Sequence, residues 1–213
     1  MALLIENQLF PPVLSFALAL SRGKLLIEAC ENYNKGSYRN KYAMMNSGGI
    51  TRLSVPLNKG KNNSKPIKEI TISYAENWQQ NHLRTIQTNY GKSPFFEDYF
   101  PEIQRIYSID FDFLFDFNLK VIALVVKLLN IDLAIDTTDV FQFTYPKNDS
   151  GIKDYRNMIV PKMDTCDYHF KPYPQVFEDR HGFIPNLSIL DLLFCMGPES
   201  VLILKETYFK NTL

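Results

Sequence analysis

The first thirty residues constrain this chain most. Residues 2–6 (ALLIE) form an apolar run of strand length, followed by Asn7, Gln8 and then Phe10-Pro11-Pro12. A proline pair ends a strand and starts a helix well, because proline is tolerated in the first helical turn. Residues 13–20 (VLSFALAL) suit a buried helix that stops at Ser21-Arg22-Gly23, and residues 24–29 (KLLIEA) return to strand length. Strand, short helix, strand is a βαβ unit, with two parallel strands joined by a right-handed crossover. Open sheets of this kind bind ligands in the crevice outside the carboxyl ends of their strands. Asn7 and the pair Glu31-Asn32 emerge together at that edge, although Asn suits a turn or a helix cap equally well. The expected fold class is α/β, a single Rossmann-like domain; a looser α+β arrangement is the alternative.

The same apolar N-terminus raises the question of targeting. No Lys or Arg precedes Arg22, so the basic region that opens a secretory signal is missing. The longest uncharged stretch, residues 7–21, is too short for a membrane-spanning helix. Cys30, Cys166 and Cys195 are odd in number and far apart, which argues against a disulfide framework. The expected location is cytoplasmic.

Beyond residue 30 the pattern changes. YRNKYAMM, Gly48-Gly49 and ITRLSVPL read as a β-hairpin around a glycine turn. A polar loop follows, and the alternation in IKEITIS (67–73) predicts another strand. Leu83, Ile86 and Tyr90 recur at helical spacing before Gly91, and a second helical segment, FFEDYFPEIQRIYS, contains Pro101, expected to kink or split it. Residues 112–129 carry a wide apolar stripe and form the clearest helix. LAID (133–136) suits a strand. Residues 141–187 lack periodicity and read as a long surface loop with short strands. Ser188 and Asp191 resemble a helix cap before LDLLFCM, Gly197-Pro198 breaks the chain, and ESVLILKETY makes a last helix. The middle helices are expected to cover the βαβ unit, and the hairpin to extend it.

With 213 residues the chain suits one domain, and 16 Phe and 12 Tyr supply ample core material. Charge balances at 23 basic against 23 acidic residues, but it is segregated. Lys35, Arg39, Lys41, Arg52, Lys59, Lys61, Lys65 and Lys68 face no acid across residues 35–68, whereas residues 97–139 hold nine acids and three bases. The basic hairpin and loop suit a phosphate-containing, anionic small molecule. Lys59, Lys61 and Lys65 read as solvated loop residues. Arg39 stands out, flanked by Tyr38 and Asn40: a bidentate fork, a stacking face and an amide that both donates and accepts. The basic segment is short and compensated elsewhere, so nucleic acid is not the expected partner.

Other chemistry finds little support. Asp164, Cys166 and His169 resemble half a metal site without a second half, and Asp110, Asp112 and Asp116 read as helix-start chemistry. No metal is expected, and the residues single out no cofactor. No P-loop, GxSxG, CxxC, HExxH or GxGxxG occurs. Cys195 lies in an apolar run and reads as core.

The run from Glu28 and Glu31 through Asn32, Tyr33, Lys35, Tyr38, Arg39 and Asn40 resembles the WbqC-like protein family. So do Phe10-Pro11-Pro12, the strand Leu53-x-Val55-Pro56, the helix Trp78-x3-His82-x3-Ile86-x3-Tyr90, and the closing block Pro185–Leu193 with Gly197-Pro198. Many members carry a Tyr-Leu-Pro-Trp-type element where this chain has Leu9-Phe10-Pro11-Pro12. The resemblance spreads over most of residues 1–213, as one domain. It implies a role in building or modifying a bacterial surface glycan. The expected activity is group transfer on a nucleotide- or lipid-linked sugar, with His82 or Glu31 moving a proton. Lys35 and Arg39 would hold phosphate, with Asn7, Asn32, Tyr38, Asn40 and Tyr90 completing the binding set. The competing expectation is a non-catalytic partner of a glycan-assembly enzyme. Clustering of Glu31, Arg39 and His82 around one pocket would separate the two.

Overall fold

A computed structural model describes residues 1–145 and 151–210. Strand β1 (Ala2–Glu6), helix α1 (Val13–Leu20) and strand β2 (Lys24–Glu28) form the expected βαβ unit, with β1 and β2 parallel and Leu3 to Glu6 in register with Leu25 to Glu28. All five β1 residues are buried, as are Val13 to Ala19 of α1. This explains why both segments read as unbroken apolar runs rather than as alternating ones.

Strands β3 (Lys41–Asn46) and β4 (Gly49–Ser54) form the hairpin, with Gly49 at a φ of +111°. It makes its own two-stranded sheet and is not added to the edge of the first. Four consecutive β3 residues, Tyr42 to Met45, are buried, and the Ser188 N–H bonds the Ala43 carbonyl at 2.8 Å. The segment IKEITIS is not a strand. Residues Ile67–Glu69 form a 3-10 turn, followed by isolated bridges of Thr71 to Phe113 and Ile72 to Leu57. Ile67 and Ile70 are three apart, the period of that turn, and only Ile70 and Ile72 follow strand spacing; all three are buried.

Helix α2 (Trp78–Tyr90) buries Trp78, His82, Ile86 and Tyr90, one residue per turn. Helix α3 (Phe96–Tyr107) runs through Pro101, the sixth of its twelve residues; Pro101 and Glu97, whose carbonyl it frees, are both exposed, so water can take up that carbonyl. Helix α4 (Leu114–Leu129) ends at Asn130 in the left-handed conformation. Strand β5 (Ala134–Thr137) then joins β2 in parallel.

The segment expected to be a surface loop with short strands supplies one such strand to the central sheet. Strand β6 (Ile152–Asp154) pairs in parallel with β1, giving the order β5-β2-β1-β6. Three half-exposed residues carry no periodic signal; the exposed flank of β1 recruits them. Part of that expectation, residues 146–150, lies outside the described residues. Strand β7 (Tyr168–His169), the short helix α5 (Glu178–His181), α6 (Ile189–Met196), α7 (Ser200–Lys205) and β8 (Tyr208–Phe209), paired with β7, complete the chain. Ser188 caps α6 by accepting from the Leu190 N–H, as expected. Asp191 does not serve the cap: it is fully buried, accepting from the hydroxyls of Tyr90 and Tyr173 at 2.7 Å each and from Gln175 at 2.9 Å. Among the described residues no helix is long and apolar enough to cross a membrane.

The architecture is mixed α/β around a parallel four-stranded sheet. From β1 the chain steps outward to β2 and β5, then returns to place β6 on the other side of β1. That reversal is a topological switch point, the place where such sheets open a crevice beyond their strand ends.

Candidate functional site

Both central strands end in glutamate. Glu6 and Glu28 are register partners at the carboxyl edge, and both are fully buried. Two adjacent dry carboxylates need compensation. Glu28 accepts from the Thr138 hydroxyl, from the Cys30 N–H at 3.0 Å and from Arg156 Nη1 at 2.7 Å. Glu6 accepts from Gln8 Nε2 at 2.9 Å and from the Asn157 N–H at 2.8 Å. Arg156 also grips Asp154, at 2.6 Å from Nη2, so the segment after β6 brings one guanidinium and one backbone donor to acids more than a hundred residues earlier.

Next to this cluster Arg39 meets Glu31 with two parallel bonds, Nε to Oε1 at 2.9 Å and Nη2 to Oε2. Arg39 Nη2 also donates to Asn157 Oδ1 at 3.1 Å, whereas the buried Nη1 has no partner among the described residues. Burial pushes the Glu31 carboxyl above its ordinary value, Arg39 opposes this, and the nearby Glu6 charge adds to the rise. The rise makes the Glu31 carboxylate a stronger base than an ordinary glutamate.

A cleft of about 500 Å³ opens here. Glu31 and Arg39 line it together with Cys30, Asn32, Tyr33, Asn34, Asn63, Ser64, Phe141, Phe143 and Asn157. Ser64 (φ 69°) and Asn157 (φ 57°) both hold left-handed backbone, a strained state for a non-glycine residue that collects at functional positions. Lys35 is exposed beside the cleft, its backbone N–H bonded to Asn63 Oδ1 at 3.2 Å. Of the sequence-predicted residues, the structure thus gathers Glu31, Asn32 and Arg39 in the cleft wall, with Lys35 adjacent.

The others lie in buried networks, Asn40 in a half-buried one, and are not among the lining residues. Asn7 Oδ1 accepts from Asn118 Nδ2 at 2.7 Å, and the same amide nitrogen donates to the Arg39 carbonyl at 2.7 Å. The Tyr38 carbonyl accepts from the Leu9 N–H at 2.9 Å, and its side chain is buried. Asn40 accepts from Tyr33 and donates to the Val55 carbonyl, pinning the hairpin. Tyr90 bridges Asp191 and the Met45 N–H. His82 Nδ1 lies 3.3 Å from the Tyr42 hydroxyl and 3.1 Å from that of Tyr107, with Trp78 packed edge-on against the ring. Of the three residues whose clustering would separate an enzyme from a non-catalytic partner, Glu31 and Arg39 share the cleft and His82 lies outside it.

Burial pushes the His82 imidazole down to about 4 from an ordinary 6.5, against a smaller rise from its hydrogen bond to the Ser54 backbone. Between those values the unfolded chain binds a proton that the folded chain refuses, so stability rises with pH there and is lost as pH falls. At ~1.4 kcal/mol per unit, wild type should lose up to about 3 kcal/mol more than His82→Gln between pH 6.5 and 4. Urea midpoints across that range measure the difference, and parallel pH profiles of the two proteins would refute it.

Glu6, Glu28, Arg156, Asn157, Phe141 and Phe143 were missed as site residues. A signal for the first two was present: LLIE occurs at 3–6 and again at 25–28, ending both strands with the same acid. Among the described residues no group of three His, Cys, Asp or Glu side chains could hold a metal ion, which leaves the Asp164–His169 half-site without partners of that kind.

The fold and cleft define an α/β protein with a polar cleft at the carboxyl edge of a parallel sheet. A model of the WbqC-like protein family matches residues 7–160 and 159–203, and the chain belongs to that family. No curated protein and no solved structure matches it.

Proposed function

We propose that this chain is a cytoplasmic enzyme of bacterial surface polysaccharide biosynthesis, a group transferase acting on a nucleotide- or lipid-linked sugar. One observation carries the reading beyond family membership: the Glu31–Arg39 pair in the wall of a polar cleft at the switch point of the sheet. Three unpaired cysteines are in keeping with a reducing compartment.

In this reading Glu31 accepts the proton of an acceptor hydroxyl as that oxygen bonds the transferred group. The phosphate-linked leaving group departs with the electron pair of the broken bond. Arg39 orients the carboxylate, and the exposed Lys35 meets the phosphate. Asn32 binds substrate at the mouth. His82, Asn7, Tyr38, Asn40 and Tyr90 support the walls from within.

The test is thermal unfolding of the native chain with nucleotides, nucleotide sugars, acyl-CoA and polyprenyl phosphate analogues. A ligand at ~100 times its Kd adds ~2.7 kcal/mol, a melting shift of roughly 5–10 °C at this size. A nucleotide sugar is expected to shift the melting, and less so in Lys35→Ala. With that donor, Glu31→Gln should keep the binding and lower turnover about 10²–10⁴-fold. No shift with any sugar-phosphate donor would overturn the assignment.

A further inference from the structure

We infer that the cleft takes the sugar ring of the donor, seated on Phe143 and held by side-chain amides, with the phosphate outside it. This rests on the reading above that the donor carries a sugar.

Phe143 is 90% exposed and Phe141 38% exposed, and their rings meet edge to face at 5.2 Å on the cleft wall. Two apolar rings left in water beside a polar cavity lose hydration cost only when something covers them. Phe141 and the backbone beside it are tied down: the Arg156 guanidinium lies 4.9 Å from the centre of the Phe141 ring, and its Nη2 donates to the Gln142 carbonyl at 2.7 Å. The platform is therefore anchored to the buried carboxylate cluster.

The rest of the wall is neutral and polar. Asn32, Asn34, Asn63 and Asn157 bring carboxamides, which donate and accept like the hydroxyls of a sugar; the oxygens of Asn63 and Asn157 already accept from the Lys35 N–H and from Arg39 Nη2, which orients those two amides. Glu31 and Arg39 are the charged side chains in the lining, and each answers the other. A phosphate entering the cleft would meet no uncompensated cation there, whereas the exposed Lys35 waits beside it. An alkyl chain would strip water from four amides without replacing their hydrogen bonds. A pyranose meets both demands, with C–H bonds for the phenyl face and hydroxyls for the amides.

Saturation-transfer NMR on the native chain tests this with UDP-linked glucose, galactose and N-acetylglucosamine, their methyl glycosides, and UDP and pyrophosphate. Magnetisation should reach the sugar C–H protons of at least one glycoside or nucleotide sugar. Phe143→Ala should weaken that binding about tenfold, and Phe143→Trp should retain it. Phe143 is so exposed that both variants should melt as wild type, which a thermal scan checks. If UDP and the UDP-sugars bind alike, without transfer to sugar protons and without an effect of Phe143→Ala, the ring inference falls while the transferase reading survives. If methyl glycosides bind and nucleotides do not, the ring inference stands and the nucleotide-donor reading falls. Binding of none overturns the ring inference outright.

Discussion

Arg39→Ala is expected to destabilise the chain by about 3–5 kcal/mol, the cost of leaving a buried carboxylate without its partner. Glu31 is 6% exposed and Arg39 1%, so neither can turn to water when the other is removed. At this chain length such a loss lowers the melting temperature by roughly 10 °C. The double change Arg39→Met with Glu31→Leu should recover most of it, because no charge is then left dry. Urea midpoints of the wild type and the two variants decide the matter. If the double variant is as unstable as the single one, the pair acts through packing and not through desolvated charge. This outcome also governs how the cleft can be studied: Glu31→Gln has to be shown folded by its own urea midpoint before its turnover is read, whereas Lys35 and Phe143 are exposed and put folding at no risk.

Asp191→Ala should cost about 4 kcal/mol or more. The substitution leaves the hydroxyls of Tyr90 and Tyr173 without their acceptor and takes one acceptor from Gln175 Nε2, which keeps the Ile184 carbonyl, and each unsatisfied buried donor costs ~1–3 kcal/mol. Burial raises the Asp191 carboxyl above its ordinary value, with the three donors pulling the other way. Asp191→Asn preserves one acceptor oxygen but presents a donor to donors, so it should recover only part of the loss. Equal stability of Asp191→Ala and wild type in urea would mean that the network carries no net stabilisation. The consequence reaches beyond α6, since these bonds join it to α2 and to the segment at 173–175.

The residues that were legible and those that were not differ in how far their reasons lie along the chain. The βαβ unit, the hairpin, the buried face of α2 and the stripe of α4 follow from periodicity and turn chemistry within about twenty residues. The Glu31-Asn32 edge could be placed because two parallel strands must end side by side. Ser188 was legible as a cap, since capping is local; Asp191, three residues on, was misread, because its partners come from Tyr90 and Tyr173. His82 keeps helical spacing from Trp78, yet spacing alone does not say whether that face meets a cleft or a core.

By itself the sequence determined an α/β chain that opens with two parallel strands, a charge-segregated hairpin, and Glu31 and Arg39 close enough in the chain to meet. Tertiary structure alone decided that β6 would pair with β1 and carry Arg156 and Asn157 to Glu28 and Glu6, 128 and 151 residues away. A buried carboxylate must find a cation or donor somewhere, but nothing local says which one. The identity of that partner is set by which strand fills the open edge of the sheet, and that is a property of the whole fold.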